Sequence, residues 1–234
     1  MSEKFASVEK LAKDNCLDLC DLGDLVYLRL VQLFYANLNT KIGTNGLYLV
    51  SLVKSVQITI NWSVLETIFG LKFLNSAPPN FTRKTATELC LTHFTCPQKL
   101  ESYKCQNRTP PYYVLFPEPQ LLHYVFVWIF YPKDCSKEAY NEIALESIYR
   151  QMNGYLVDYA LLIVNHMHRV ANLTHPSSLP YGNLLTHIFT YFKVPLNSEE
   201  CVTWPVPVIS ANSLKPSAST NSQSRLEAFL RAHP

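Results

Sequence analysis

The chain has 234 residues, of which 48% are hydrophobic and only 16% charged, and its formal net charge is +2. That length holds one large domain, or one domain with a tail. The low charge argues against the concentrated basic face of a nucleic-acid binder, since the longest basic cluster is the pair Arg83-Lys84.

The opening, MSEKFASVEKLAKDN, lacks the apolar stretch of a secretory signal. The most apolar run, residues 121–131, is shorter than the roughly 20 residues that span a bilayer. A soluble intracellular protein with no membrane association is therefore expected, with nucleus and cytoplasm both open. Seven cysteines, an odd number, fit free thiols in a reducing compartment. Four Asn-x-Ser/Thr sequons, at Asn61, Asn80, Asn107 and Asn172, are then expected to stay unmodified.

Residues 1–21 read as a lead-in with one short helix over 8–13. Asp24 is an N-cap residue type, and the apolar series Val26, Tyr27, Leu30, Leu33, Phe34 and Leu38 predicts a helix from there to about 41–43. Asn45-Gly46 signals a turn. Val56, Ile58 and Ile60 alternate with Gln57 and Thr59, which predicts a β-hairpin over 47–60. Asn61 should cap a helix over 62–69 that stops at Gly70.

Residues 75–118 are proline-rich loops around a predicted helix over 85–94. Tyr112, Tyr113 and Phe116, with only Arg108 beside them for charge, fit a lid over the core better than a base-stacking platform. A helix apolar nearly all round begins at Glu118 or Pro119 and ends at Pro132. The next is expected to start at Ser136, with Glu138 in its first turn, and to end at Asn153-Gly154. Leu156, Tyr159, Ala160, Ile163, Met167 and Val170 form the cleanest helical stripe. The closing helix carries Leu184, Leu185, Ile188, Phe189 and Phe192 between Pro180 and Pro195. Residues 201–234 form a Ser/Pro-rich tail, with disorder expected from Ser210 and a short helix over 225–232. The fold class is mainly α: a single helical domain over 22–200 with a small hairpin in its first third.

Five segments carry a family likeness: LFYANL at 33–38, NWSVLETIFGL at 61–71, the LLHY…WI…P pattern at 121–132, His166-Met167, and LPYGNLLTHIFTYFKVPL at 179–196. Together they resemble the plant transposon protein domain family of retroelement-derived, gag-region-like open reading frames. Gln32 and Leu33 stand where that family carries an acidic residue. The resemblance implies a non-enzymatic structural or protein-interaction module that associates with itself or with a protein partner. The alternative it leaves is a nucleic-acid-binding accessory protein of a plant transposon. The chain has no Asp-Thr-Gly or Asp-Ser-Gly, no Tyr-x-Asp-Asp and no zinc knuckle, so no catalytic residue and no cofactor is assigned.

Two constellations remain. Cys90, His93, Cys96 and Cys105 supply zinc-type ligands. Their spacing, Cys-x2-His-x2-Cys-x8-Cys, matches no zinc module, so the preferred reading is no metal and a thiol-bearing loop beside an amphipathic helix. Cys16 and Cys20, one helical turn apart, read as free thiols. His166 and His168 point apart on a helix and do not share a metal. Asn183, His187 and Thr190 lie on one side of the closing helix, either as a partner surface or as a solvated stripe.

Overall fold

The structure is a computed structural model, and it describes Leu19 and residues 22–44, 46–71, 82–95, 97–98, 100–101, 111–132, 140–174 and 178–203. The lead-in helix, Cys16, Cys20, Cys96, Cys105, Arg108, Ser136, Glu138 and the tail from 204 lie outside the described residues. In chain order the elements are β1 (Leu25–Val26), α1 (Leu28–Ala36), β2 (Asn39–Gly43), β3 (Gly46–Val53), β4 (Val56–Ile60), α2 (Trp62–Phe69) and α3 (Arg83–His93). After a 3-10 turn at Tyr112–Val114 come α4 (Pro117–Val125), α5 (Glu142–Met152), α6 (Tyr159–Ala171), α7 (Gly182–Tyr191) and β5 (Val202–Thr203). The described chain is mainly helical with a small antiparallel sheet.

The first helix departs from the expectation at both ends. It starts at Leu28, because Leu25–Val26 pairs antiparallel with Val202–Thr203 at the other end of the domain. It stops at Ala36, and Asn37 Nδ2 donates to Leu52 O at 2.8 Å. Asn39–Gly43 then pairs along β3. Asn, Thr, Ile and Gly are weak helix formers, so ladder hydrogen bonds win there. The hairpin is thus a three-stranded meander, β2-β3-β4. Leu49, Ser51, Val53, Ile58 and Ile60 are its buried positions, alternating as expected.

Lys54 and Ser55 form the β3–β4 turn with φ of 47° and 64°, the positive values of a primed hairpin turn. Neither is glycine, so the turn costs energy. Lys54 Nζ offsets it by pairing with Glu199 and donating to Pro195 O at 3.1 Å and Ser198 Oγ at 2.9 Å. That anchors the segment leading into β5. The described residues run on through β5 to Thr203.

Local signals worked elsewhere. Asn61 Oδ1 accepts from Val64 N at 2.9 Å, and Gly70 ends α2 at φ 67°. Asp158 Oδ1 caps α6 through Leu161 N at 2.8 Å. The helix expected from Ser136 begins instead at Glu142, where Asn141 caps α5 through Ile143 N at 2.8 Å. Gly154 follows α5 at φ 76°. Leu156, expected in the core stripe, is exposed, because the stripe begins at Tyr159.

Helices α3 and α5 pack together, with α4 against α5. Helices α1 and α6 pack on β3, and α2 on α6 and α7. One apolar core joins these layers and includes Phe34, Leu65, Cys90, Phe126, Ile148, Met167 and Phe189, all fully buried.

Candidate functional site

Four of the five segments that carry the family likeness, all but 61–71, meet at one buried knot. Tyr35, from LFYANL, donates its hydroxyl to Pro180 O at 3.1 Å, across 145 residues of chain. Phe34 packs edge-on against Phe189 with ring centroids 6.3 Å apart. Tyr181 donates to Phe130 O at 2.9 Å, and His166 Nδ1 lies 2.8 Å from the same hydroxyl. A hydroxyl has one proton. With it on Phe130 O, His166 Nδ1–H is the donor to Tyr181, a tautomer assigned from the network.

Backbone irregularities build this geometry. Helix α4 widens after Val125 into a π turn, Phe126–Phe130, in which Tyr131 N bonds Phe126 O at 2.7 Å. The helix ends there before Pro132. Phe130 O, a terminal carbonyl without a helical partner, takes the Tyr181 hydroxyl instead. Tyr131 stacks on His166, centroids 3.9 Å apart, and its own hydroxyl accepts from Arg169 Nη1 at 2.6 Å. Tyr181 sits at φ 64°, left-handed for a non-glycine residue. Its two hydroxyl bonds help offset that cost. Burial, then the neighbouring Tyr35 and Tyr131, pushes the Tyr181 phenol well above its ordinary value. Burial does the same to Tyr35. Both phenols stay protonated and act here as hydrogen-bond donors, to Phe130 O and Pro180 O.

The stripe read as a partner surface touches the chain's own start. Asn183 Nδ2 donates to Gly23 O at 2.6 Å, and His187 Nε2 to Leu22 O at 2.8 Å. Thr186 Oγ1 shares its one proton between Leu25 O at 3.0 Å and Gly182 O of its own helix at 3.1 Å. Thr190 Oγ1 turns back onto Thr186 O at 3.0 Å and takes no part. Val26 seats on Gly182, where an added Cβ would lie 2.7 Å from Val26 Cγ1. That contact explains glycine at this position, and no signal in the sequence pointed to it. Residues 22–26 thus form a strap across α7.

The candidate zinc set does not assemble from the residues described. Cys90 is fully buried in the core, and burial pushes its thiol up to about 12. His93 is exposed, and its Nδ1 lies 2.9 Å from Leu89 O on its own helix. The two therefore face apart. Among the described residues no three His, Cys, Asp or Glu side chains come together. His168 also faces away from His166. Its Nδ1 lies 2.6 Å from Thr40 Oγ1, while Asn172 Nδ2 donates to His168 O at 2.7 Å.

Tyr112 stacks parallel on His123 at 5.3 Å, as a lid over the core would. Beneath it Gln120, fully buried in a helix read as apolar, donates from Nε2 to Leu115 O at 2.7 Å and Tyr113 O at 3.2 Å. Among the described residues no helix is long and apolar enough to cross a membrane. Comparison with protein-family models, curated proteins and solved structures finds no match, so the likeness to plant transposon proteins stands on the quoted motifs alone.

Proposed function

We propose that the chain is a non-enzymatic, retroelement-derived structural or protein-interaction module that associates with itself. The observation that carries this reading is the way α7 holds a segment by its main chain: His187, Asn183 and Thr186 on one helix face reach the backbone carbonyls of Leu22, Gly23 and Leu25. Main-chain hydrogen bonds likewise supply the affinity where interaction modules take a peptide at a sheet edge. The position of the likeness motifs supports the same reading. Four of the five meet in a closed knot that ties α1, α4, α6 and the start of α7 together. Large apolar side chains at the surface, among them Tyr155, Leu156 and Leu161, add area that a partner can cover.

Light scattering on the full chain, from low to high micromolar, tests the proposal. The expected result is a mass that rises with concentration to a defined oligomer. A mass that stays at one chain throughout, with nothing retained from a plant-cell lysate, would overturn it.

A further inference from the structure

The three-stranded meander leaves one edge open. Helix α2 packs on β4, where Ile58 and Ile60 are fully buried, whereas among the described residues no strand pairs with the outer side of β2. The register identifies the groups that face outward. Gly43 pairs with Gly46 across a two-residue loop, and such a closing pair is hydrogen-bonded. Pairs alternate along an antiparallel ladder, so Asn39, Lys41 and Gly43 bond to β3, while the N–H and C=O of Thr40 and Ile42 point away from it. Leu52 O fits this alternation: it faces the same side of β3 as Tyr48 and Val50, past the end of β2, and takes Asn37 Nδ2 instead. Four backbone groups are thus aligned along a five-residue edge about 17 Å long. Lys41 is exposed opposite Tyr48 on one face of the sheet. Ile42, on the other face, is 86% exposed, unusual for a residue type that is most often buried. An unpaired edge with an exposed apolar side chain is a template for another strand.

We propose that β2 takes an extended peptide of a partner protein by antiparallel strand addition, with an acidic residue opposite Lys41 and apolar residues opposite Thr40 and Ile42. The backbone of Thr40 and Ile42 supplies four hydrogen bonds. The pair at Lys41 shares none, so its Cα atoms approach to about 4.5 Å and the two side chains meet there. Charge then decides, and Lys41 selects a carboxylate. The same lysine argues against a second copy as the occupant. Two β2 strands paired about their centre set Lys41 against Lys41, and a lysine on an edge strand guards against self-pairing. The registers centred on Thr40 or Ile42 avoid that clash but leave only three residues of each five-residue strand paired. An edge this short also buries far less than the roughly 1,200 Å² of a stable contact between two folded proteins, whereas it matches the length of one peptide strand. The inference is separate from the self-association proposed above, and neither depends on the other.

Amide NMR of the full, isotope-labelled chain tests this with acetyl-Thr-Val-Glu-Val-Thr-amide, whose glutamate stands opposite Lys41 when its two valines bond Thr40 and Ile42. The expected result is saturable movement of the Thr40 and Ile42 amides in the millimolar range. The same peptide with lysine in place of glutamate should bind about threefold more weakly, or worse. Lys41→Glu should reverse that order, because the side chain is exposed and its backbone bonds to β3 are kept. Methylating both valine nitrogens removes the donors to Thr40 O and Ile42 O, and should abolish the movement in the unaltered chain. The proposal is overturned by no movement at Thr40 and Ile42, by equal binding of the two charge forms, or by undiminished binding of the methylated peptide. Should Lys41→Glu fail to fold, as judged by circular dichroism, the three peptides decide on the unaltered chain. None of these results changes the mass of the chain alone in light scattering, so the self-association proposal stands or falls separately.

Discussion

Tyr181→Phe is the most direct probe of the buried knot. The substitution removes one oxygen and leaves ring, backbone and apolar packing in place. Two partners then lose their bond: Phe130 O, which accepted at 2.9 Å, and His166 Nδ1–H, which donated at 2.8 Å. Both bonds are buried, so neither group regains water. A buried polar group without its partner costs about 1–3 kcal/mol, and the two together about 2–6 kcal/mol. The lower end applies if the imidazole shifts its proton to the other nitrogen. Tyr35→Phe serves as the internal scale, because that hydroxyl makes one bond, to Pro180 O. It should cost about half as much. Urea unfolding followed by circular dichroism measures both, with an unchanged m value showing that only stability moved. A loss under about 0.5 kcal/mol for Tyr181→Phe, or a larger loss for Tyr35→Phe, would refute the claim that the Tyr181 hydroxyl ties the knot.

Phe189 is fully buried against Phe34 on the core face of α7, so Phe189→Ala should cost about 3–5 kcal/mol in the same assay. An unchanged melting temperature would remove α7 from the core. Alkaline titration offers a second check. Cys90 is raised to about 12 in the folded chain, while an unfolded thiol ionises near 8.5. Its contribution is complete below about pH 8.5 and is lost as pH climbs toward 12, at up to about 1.4 kcal/mol per pH unit. Cys90→Ala should flatten that slope between pH 8.5 and 9.5, before tyrosines titrate, and an unaltered slope would show that the thiol is not buried. The alternative role as a nucleic-acid-binding accessory predicts gel shifts that weaken steeply with salt. No shift at low salt is the expected result.

Much of the local structure was legible because local chemistry sets it. Asn61 and Gly70 bound α2 as capping rules require, and the alternation of Val56, Ile58 and Ile60 marked a strand with one buried face. The apolar face of α7, from Leu184 to Phe189, followed from its 3.6-residue period. These signals act over a few residues, so a sequence displays them directly. Boundaries decided at long range were misread. Asp24 is a good cap and Val26 a good helix-face residue, yet both precede the helix, since a strand partner more than 170 residues away takes Leu25–Val26. Gln120 gave no sign of burial, because its partners are carbonyls of the preceding loop.

The sequence by itself marked the middle of most helices and the β3–β4 hairpin, though not β1, β2 or β5, and on α7 it picked out Asn183 and His187 as side chains that do something besides pack. Only the tertiary structure decided what they do. Asn183 and His187 hold the chain's own strap, Gly182 is small because Val26 lies over it, and Tyr181 adopts a left-handed backbone to reach Phe130 and His166. The physical reason is the reach of the interactions. Caps and periodicity are satisfied within a turn or two, whereas a buried hydroxyl or a backbone carbonyl must find its partner wherever folding brings one.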